Sequence, residues 1–440
     1  MMISAPHRKI LLLAATFLGS AVRAQSVAEP GSPSATVVAI PPLSTPADKP
    51  TADGSTASIA WQASKLIAQD LQTTSEVMAL PPSEKNYYSY PEVTAPSFYN
   101  WRSVHAKLLL TGFVQARPDG RVTFGCYVYD VQKGRELARE GFVAAPSEWR
   151  RAAHKCAGLV YKQATGARGI FDTRIAYVAE TGNGPLKTKR VAVMDNDGTA
   201  HKYLTPGDTI ALTPRLSPKG GRVAYVGFNA GRPQIRLIDI DSGTQHPLLP
   251  GDAITFAPRF SPDGARILFS MTIGQNTDVY VVNADGGVPQ RLTTSPGIDT
   301  DASFSPDGSK IVFESDRSGS QQLYVMNADG TGQHRISFGA AAYASPDWSS
   351  DGSWVAFTRR EPGARRVGIM HPDGTGERLV TNGPSDEGAS WAPSSRELIF
   401  ERGGVGGSPT INRVSLEGGE IRAIVIPQGG SDPDWSGVMD

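Results

Sequence analysis

Three sets of residues in this chain have the types and spacing from which chemistry could be built. The first is Asp299-Thr300-Asp301, the densest carboxylate cluster near a recurring strand of the second half. Two carboxylates can serve glycoside hydrolysis when they flank a bond from opposite sides. This cluster has no second group set against it, so a solvated loop is the expected setting. The second set is His246 and His334, which lie 88 residues apart. Lys202, Gln290, Arg378 and Arg422 fill the equivalent position elsewhere, the mark of a polar outer strand rather than a metal site. The third is Cys126 and Cys156, the only two cysteines. Two thiols do not make a zinc site; a disulfide and a pair of buried free thiols both stay open. No Gly-x-Ser-x-Gly, His-Glu-x-x-His or Gly-Lys-Ser/Thr motif is present. The expectation is no catalytic residue, no metal and no cofactor, with a propeller-containing hydrolase or lyase as the alternative.

The elements that carry these residues repeat. Phe304-Ser305-Pro306-Asp307-Gly308 recurs, aligned on its serine, at positions 217, 261, 305, 349, 392 (Ala392) and 436. A second landmark keeps the same beat at Asp197, Asp241, Asp285, Asp329, Asp373 and Glu417. A period of this size in β-rich sequence is the signature of a propeller, one four-stranded blade per repeat. Pro-Asp-Gly and Asp-Gly supply tight turns, because Pro fixes φ and Gly takes positive φ. The residue before the aligned serine is Leu216, Phe260, Phe304, Trp348, Trp391 or Trp435, which predicts packing between blades. Ile175–Val178 resembles a second strand without a first, and Pro433–Ser436 a first strand without a second. The two halves should complete one blade and close a ring of six. The chain stops at Asp440 soon after that strand, leaving no expected hydrolase domain beyond it.

Topology sorts the loops. The longer, irregular ones, Pro250–Ala257, Ser295–Asp301, Gly339–Ser345 and Asn382–Gly388, should gather on one face of the ring. Variable loops on a rigid scaffold make a protein-docking surface. The candidate contacts on them are Ile254, Ala257, Asp299, Thr300, Asp301, Tyr343 and Glu387.

Upstream, a basic stretch His7-Arg8-Lys9 precedes the apolar run Ile10–Gly19, too short to span a bilayer. Cleavage after Ala24 fits a secretory signal. Residues 25–35 are rich in Ser, Pro, Ala and Gly and read as a flexible arm. A small α/β domain follows over 36–166, with strands near 36–40, 77–80, 107–114, 121–131 and 136–143 and helices near 59–71 and 146–163. Tyr87, Tyr88, Tyr90, Phe98, Tyr99 and Trp101 crowd a Pro-broken stretch, expected to pack on its own domain. The propeller takes 170–440. With 43 Lys+Arg against 43 Asp+Glu, net charge is zero, which argues against nucleic acid as a partner.

This order, a signal, a small α/β domain and a six-bladed propeller, resembles the TolB family of the Tol–Pal system. The residues that carry the resemblance are Phe171-x-Thr173-Arg174-Ile175-Ala176-Tyr177-Val178, the Phe-Ser-Pro-Asp-Gly repeats, Leu323-Tyr324-Val325-Met326-Asn327, the Pro118-Asp119-Gly120 hairpin and Trp149-Arg150-Arg151-Ala152-x-His154. The resemblance implies a periplasmic, non-enzymatic adaptor that binds a Pal-like lipoprotein on its propeller and a TolA-like protein through its N-terminal arm. It implies a role in outer-membrane integrity and cell division, with peripheral attachment to the outer membrane through partners. Thr300-Asp301 matches a Thr-Glu pair of the family's Pal-contact loops and Ala257 a small residue there. Ile254 stands where a His would be expected, and Gln25–Ala35 is Pro- and Ser-rich where the family often has an apolar, charged arm.

Overall fold

The computed structural model describes residues 35–83, 85, 87–182, 187–404, 407–417 and 420–439. The expected signal at 1–24 and the arm, apart from Ala35, lie outside the described residues.

The N-terminal part is a five-stranded sheet with two long helices and a short one at Tyr99–Ser103. Its elements are β1 (Thr36–Ala39), α1 (Thr56–Gln72), β2 (Val77–Leu80), β3 (Leu108–Ala116), β4 (Val122–Asp130), β5 (Arg135–Ala144) and α2 (Trp149–Thr165). The strand order is β2-β1-β3-β4-β5, with β1 parallel to both neighbours. In α1, Ile59, Ala63, Leu66, Ile67 and Leu71 are buried; in α2, Trp149, Ala153, Cys156 and Val160 are. Their helical spacing makes one apolar stripe on each helix. Ser55 caps α1 by accepting the Ser58 N–H. Gly166, at φ 76°, ends α2 in the left-handed conformation. Cys126 of β4 and Cys156 of α2 are joined as a disulfide, with Cα atoms 6.0 Å apart. The aromatic stretch divides. Trp101 is buried and its Nε1–H donates to the Tyr88 hydroxyl at 2.8 Å, whereas Tyr87 and Tyr99 are exposed.

The propeller has six four-stranded sheets. Blade 1 holds Arg174–Thr181, Thr188–Asp195 and Lys202–Tyr203, and its innermost strand is the C-terminal Gly429–Trp435. The inner strands of blades 2 to 6 are Leu212–Leu216, Ile254–Phe260, Asp299–Phe304, Ala342–Trp348 and Asp386–Trp391. The closing strand pairs antiparallel with Arg174–Thr181. Ser431 Oγ donates to Glu180 at 2.8 Å and Trp435 Nε1–H to Thr173 Oγ1 at 2.8 Å. Leu216, Phe304, Trp391 and Trp435 are buried between blades, while Phe260 and Trp348 at the same repeat position are partly buried.

The Ser-Pro-Asp-Gly motif is turn chemistry. Ser305 Oγ donates to Asp307 at 2.6 Å and accepts the Lys310 N–H at 2.9 Å, while Gly308 sits at φ 69°. Ser261 with Asp263 and Ser349 with Asp351 repeat the pair. In the second turn type, the carboxylates of Asp197, Asp329 and Asp373 each cap the N–H two residues on. His246 and His334 lie on exposed outermost strands.

Candidate docking surface

Every inner strand of the ring is broken at one position. The register shifts within each of the six, and the residue at the shift has positive φ: Thr213 43°, Ala257 51°, Asp301 52°, Ser345 50°, Gly388 63° and Asp432 49°. This is a β-bulge, one extra residue that bends the strand and re-aims its side chains. The bulge lets pairing with the second strand resume on the far side, so the inner strands are longer than turn chemistry alone predicts.

That length corrects the loop reading. Ile254, Ala257, Asp299, Thr300, Asp301, Tyr343 and Glu387 are all strand residues, not loop residues, and Asp299, Thr300 and Tyr343 are buried. Asp299 is not solvated; its carboxylate is held by Arg317 at 2.7 Å. Thr300 shares a 2.7 Å hydrogen bond with Ser270 of the neighbouring blade. The Tyr343 hydroxyl donates to Glu377 at 2.9 Å, and burial, then that hydrogen bond, push the phenol up to about 12. Ile254, Ala257, Asp301 and Glu387 remain partly accessible. Glu387, on the inner strand of blade 6, is engaged by Arg365 on the third strand of blade 5.

The bulges also couple neighbouring blades. Glu314 of blade 4 accepts the Ser345 N–H at 3.1 Å, Thr358 of blade 5 accepts the Gly388 N–H at 3.1 Å, and Glu401 of blade 6 accepts the Asp432 N–H at 3.2 Å. Burial, then the charge of Asp301, push Glu314 up to about 8. Burial and Asp432 push Glu401 up to about 7. Two residues past each bulge lies a second register of six: Arg215, Arg259, Ser303, Asp347, Ser390 and Asp434. Arg259 is buried and contacts Asp434 at 3.1 Å and Asp347 at 3.5 Å. These residues line a cavity of about 360 Å³ on the tight-turn side of the channel.

Sequence reasoning missed the exposed apolar side chains at the loop ends of the strands. Ile210 and Ile298 precede inner strands, Phe228 and Ile273 close second strands, and Phe338 follows a fourth strand. By the alternation of strand direction all five fall on the same face of the ring, on blades 2 to 4 and the connection into blade 5. A lone Ile or Phe beside loop residues, as in Pro296-Gly297-Ile298-Asp299 and Ser337-Phe338-Gly339, could have flagged them, since a strand end in water gains nothing from them unless something covers it. The opposite face, with the tight turns, meets the N-terminal domain: Arg150 of α2 holds Asp197, and Arg396 holds Glu76 at 2.9 Å. Among the described residues, no group of three or more His, Cys, Asp or Glu is arranged to hold a metal ion, and no helix is long and apolar enough to cross a membrane.

Comparison with known proteins fits this two-part architecture. Residues 161–439 match the TolB beta propeller domain family and residues 29–137 the TolB amino-terminal domain family. The chain belongs to the TolB family. A TolB crystal structure from Acinetobacter baumannii superposes with a TM-score of 0.74 at 26% identity, covering 91% of this chain and 96% of that one. A Tol-Pal system protein TolB of Rhizorhabdus wittichii is 48% identical over 195 residues, 44% of each chain. One from Zymomonas mobilis is 47% identical over 198 residues, 45% of this chain and 43% of its own. The chain thus spans under half the length of these curated TolB relatives in the matched region. The TolB fold explains why the bulges recur in phase: each blade is one copy of the same unit.

Proposed function

We propose that this chain is a periplasmic, non-enzymatic adaptor of the Tol–Pal system. Its domains are a signal at 1–24, an arm at 25–35, an α/β domain at 36–166 and the propeller at 170–440. The loop-bearing face of the propeller docks a Pal-like peptidoglycan-associated lipoprotein, and the arm engages a TolA-like protein. Through these partners the chain associates peripherally with the outer membrane and supports its integrity and cell division.

The observation that carries this reading is the apolar arc of Ile210, Phe228, Ile273, Ile298 and Phe338 on the face opposite the N-terminal domain. Apolar side chains gathered at one rim, with polar groups between them, are the composition of a protein interface. Within the reading, Ile254, Ala257, Asp301 and Glu387 contribute from the channel side. Asp299, Thr300 and Tyr343 hold the strands beneath. The names of the TolB relatives support the Tol–Pal assignment.

The test is calorimetric binding of the exported chain to the soluble domain of a Pal-like lipoprotein. Asp301→Arg and Ile273→Asp should each weaken binding about tenfold or more, the loss of one good interface contact. Unchanged affinity in both variants overturns the face. No binding by the wild type overturns the partner, and turnover of peptides or glycans by pure protein overturns the non-enzymatic assignment.

A further inference from the structure

A buried histidine stands between the two domains with a carboxylate on either side. His154, in α2, is 2% exposed. Its Nδ1 lies 2.7 Å from Asp70 Oδ2, on α1 of the same domain. Its Nε2 lies 3.6 Å from Asp197 Oδ2, in the turn after the third-position strand of blade 1, and makes no hydrogen bond. Arg150, one turn earlier on α2, grips the same Asp197 carboxylate. Asp195, ion-paired with Arg174 at 3.8 Å, stands behind it. On the remaining side is an interdomain cavity of about 260 Å³, lined by Glu140, Lys155, Lys162, Arg168 and Asp172 as well as His154. There Asp172 is paired with Arg151 at 3.3 Å and with Lys155 at 3.9 Å.

We propose that His154 is a proton-operated latch between the N-terminal domain and the propeller, its imidazolium bridging Asp70 and Asp197. The two nitrogens decide the matter. A neutral imidazole has one N–H. With that N–H on Nδ1 and committed to Asp70, Nε2 presents a lone pair to the Asp197 carboxylate, and the contact is repulsive. The imidazolium has an N–H on each side and attracts both. Protonation therefore adds a tie across the domain boundary and makes the existing Asp70 hydrogen bond charge-assisted.

Burial alone would lower the histidine's affinity for its proton. The hydrogen bond and charge of Asp70, with the charges of Asp197 and Asp195, outweigh burial and hold His154 above the usual histidine value. On the propeller side, burial is outweighed by hydrogen bonds from Thr199, the charge of His154 and a hydrogen bond from Arg150, which hold Asp197 below the usual carboxylate value. For a histidine raised in this way, the tie is fully present at low pH and is lost as pH rises through the folded-state value. Arg150 keeps its grip on Asp197 throughout, so the outcome is a looser domain boundary, not separation.

Two measurements on the full exported chain test this. Histidine-labelled NMR gives the titration of His154. Pulsed EPR between spin labels at Val143→Cys and Val288→Cys, both exposed, gives the interdomain distance distribution. The wild type should show a narrow distribution at about pH 6 that broadens as His154 deprotonates. Asp197→Asn should lower the His154 midpoint and broaden the distribution at low pH. His154→Gln should make the distribution independent of pH across this range. A distribution that does not change while His154 titrates in the wild type overturns the latch, and that result needs no variant to fold. An unchanged His154 midpoint in folded Asp197→Asn overturns it too, because it reduces the histidine to a partner of Asp70 alone.

Discussion

Glu401 Oε2 accepts the backbone N–H of Asp432 at 3.2 Å, joining blade 6 to the closing strand. The same carboxylate is pushed up to about 7 by burial and by the charge of Asp432. The folded chain therefore keeps a proton on Glu401 that the unfolded chain releases near the ordinary value of 4.5. Stability contributed by this group is present below about pH 4.5 and is lost as pH rises through about 7.

Glu401→Gln keeps an acceptor for the Asp432 N–H and removes the ionisation. The variant should gain on the wild type as pH rises from about 4.5 to about 7, by an amount on the order of a few kcal/mol. Urea denaturation at a series of pH values measures it. Parallel pH profiles for the two proteins would refute the assignment.

Arg259 should be irreplaceable singly. Asp347 and Asp434 both lean on its guanidinium inside the channel wall. Arg259→Met leaves buried Asp347 without its cation and Asp434 with Arg215 alone, at 3.9 Å, at a cost of about 3–5 kcal/mol. The double change with Asp347→Asn should recover much of that loss, because Asp434 keeps Arg215 and no charge is then left stranded. Chemical denaturation of the four proteins forms the cycle.

Tyr343→Phe should separate support from contact. Its hydroxyl donates to Glu377 and the ring is buried. Removing the hydroxyl should cost about 1–3 kcal/mol of stability, because a charged acceptor loses its donor. Affinity for a lipoprotein partner should not move. A drop in affinity with unchanged stability would return Tyr343 to the docking face.

The bulge position can be probed from both sides. Ala257 holds φ 51° with a side chain, and Gly388 holds φ 63° without one. Ala257→Gly should stabilise by up to about 1 kcal/mol and Gly388→Ala should destabilise by a similar amount, since a Cβ is disfavoured in this region. No neighbouring atom lies within 4 Å of a Cβ built at Gly388, so strain is the only steric term there. Thermal melts of the two variants give the comparison.

Much of the architecture was legible because turn residues and apolar residues repeat in phase. Asp329-Gly330 and Pro306-Asp307-Gly308 announce their turns through side chains whose conformational limits are local. The split blade was legible for the same reason: each half keeps its own pattern. The bulges were not. Thr213, Ala257, Asp301, Ser345 and Asp432 hold positive φ although none is a glycine. The surrounding ladder imposes that conformation, and no local preference signals it. Missing the bulge shortened every inner strand by several residues and put Asp299 and Tyr343 in water. Asp299 looked solvated because its cation, Arg317, comes from the loop between the second and third strands of the blade. His154 was legible as part of a motif, but its second carboxylate belongs to the propeller, and only the folded chain brings Asp197 to it.

The pairing of Gly429–Trp435 with Arg174–Thr181 bears on how this ring is acquired. The Ser431–Glu180 hydrogen bond joins residues 251 apart in sequence. During synthesis and folding, blades 2 to 6 can each form from neighbouring segments, but blade 1 must wait for the last of its strands. Until then the second strand of blade 1 keeps a bare edge able to pair with another chain. Closure over so long a span is slow, and a delayed edge is an aggregation hazard. A chaperone or partner that shields residues 174–181 before closure would therefore raise the yield of folded protein more than one that stabilises the finished ring.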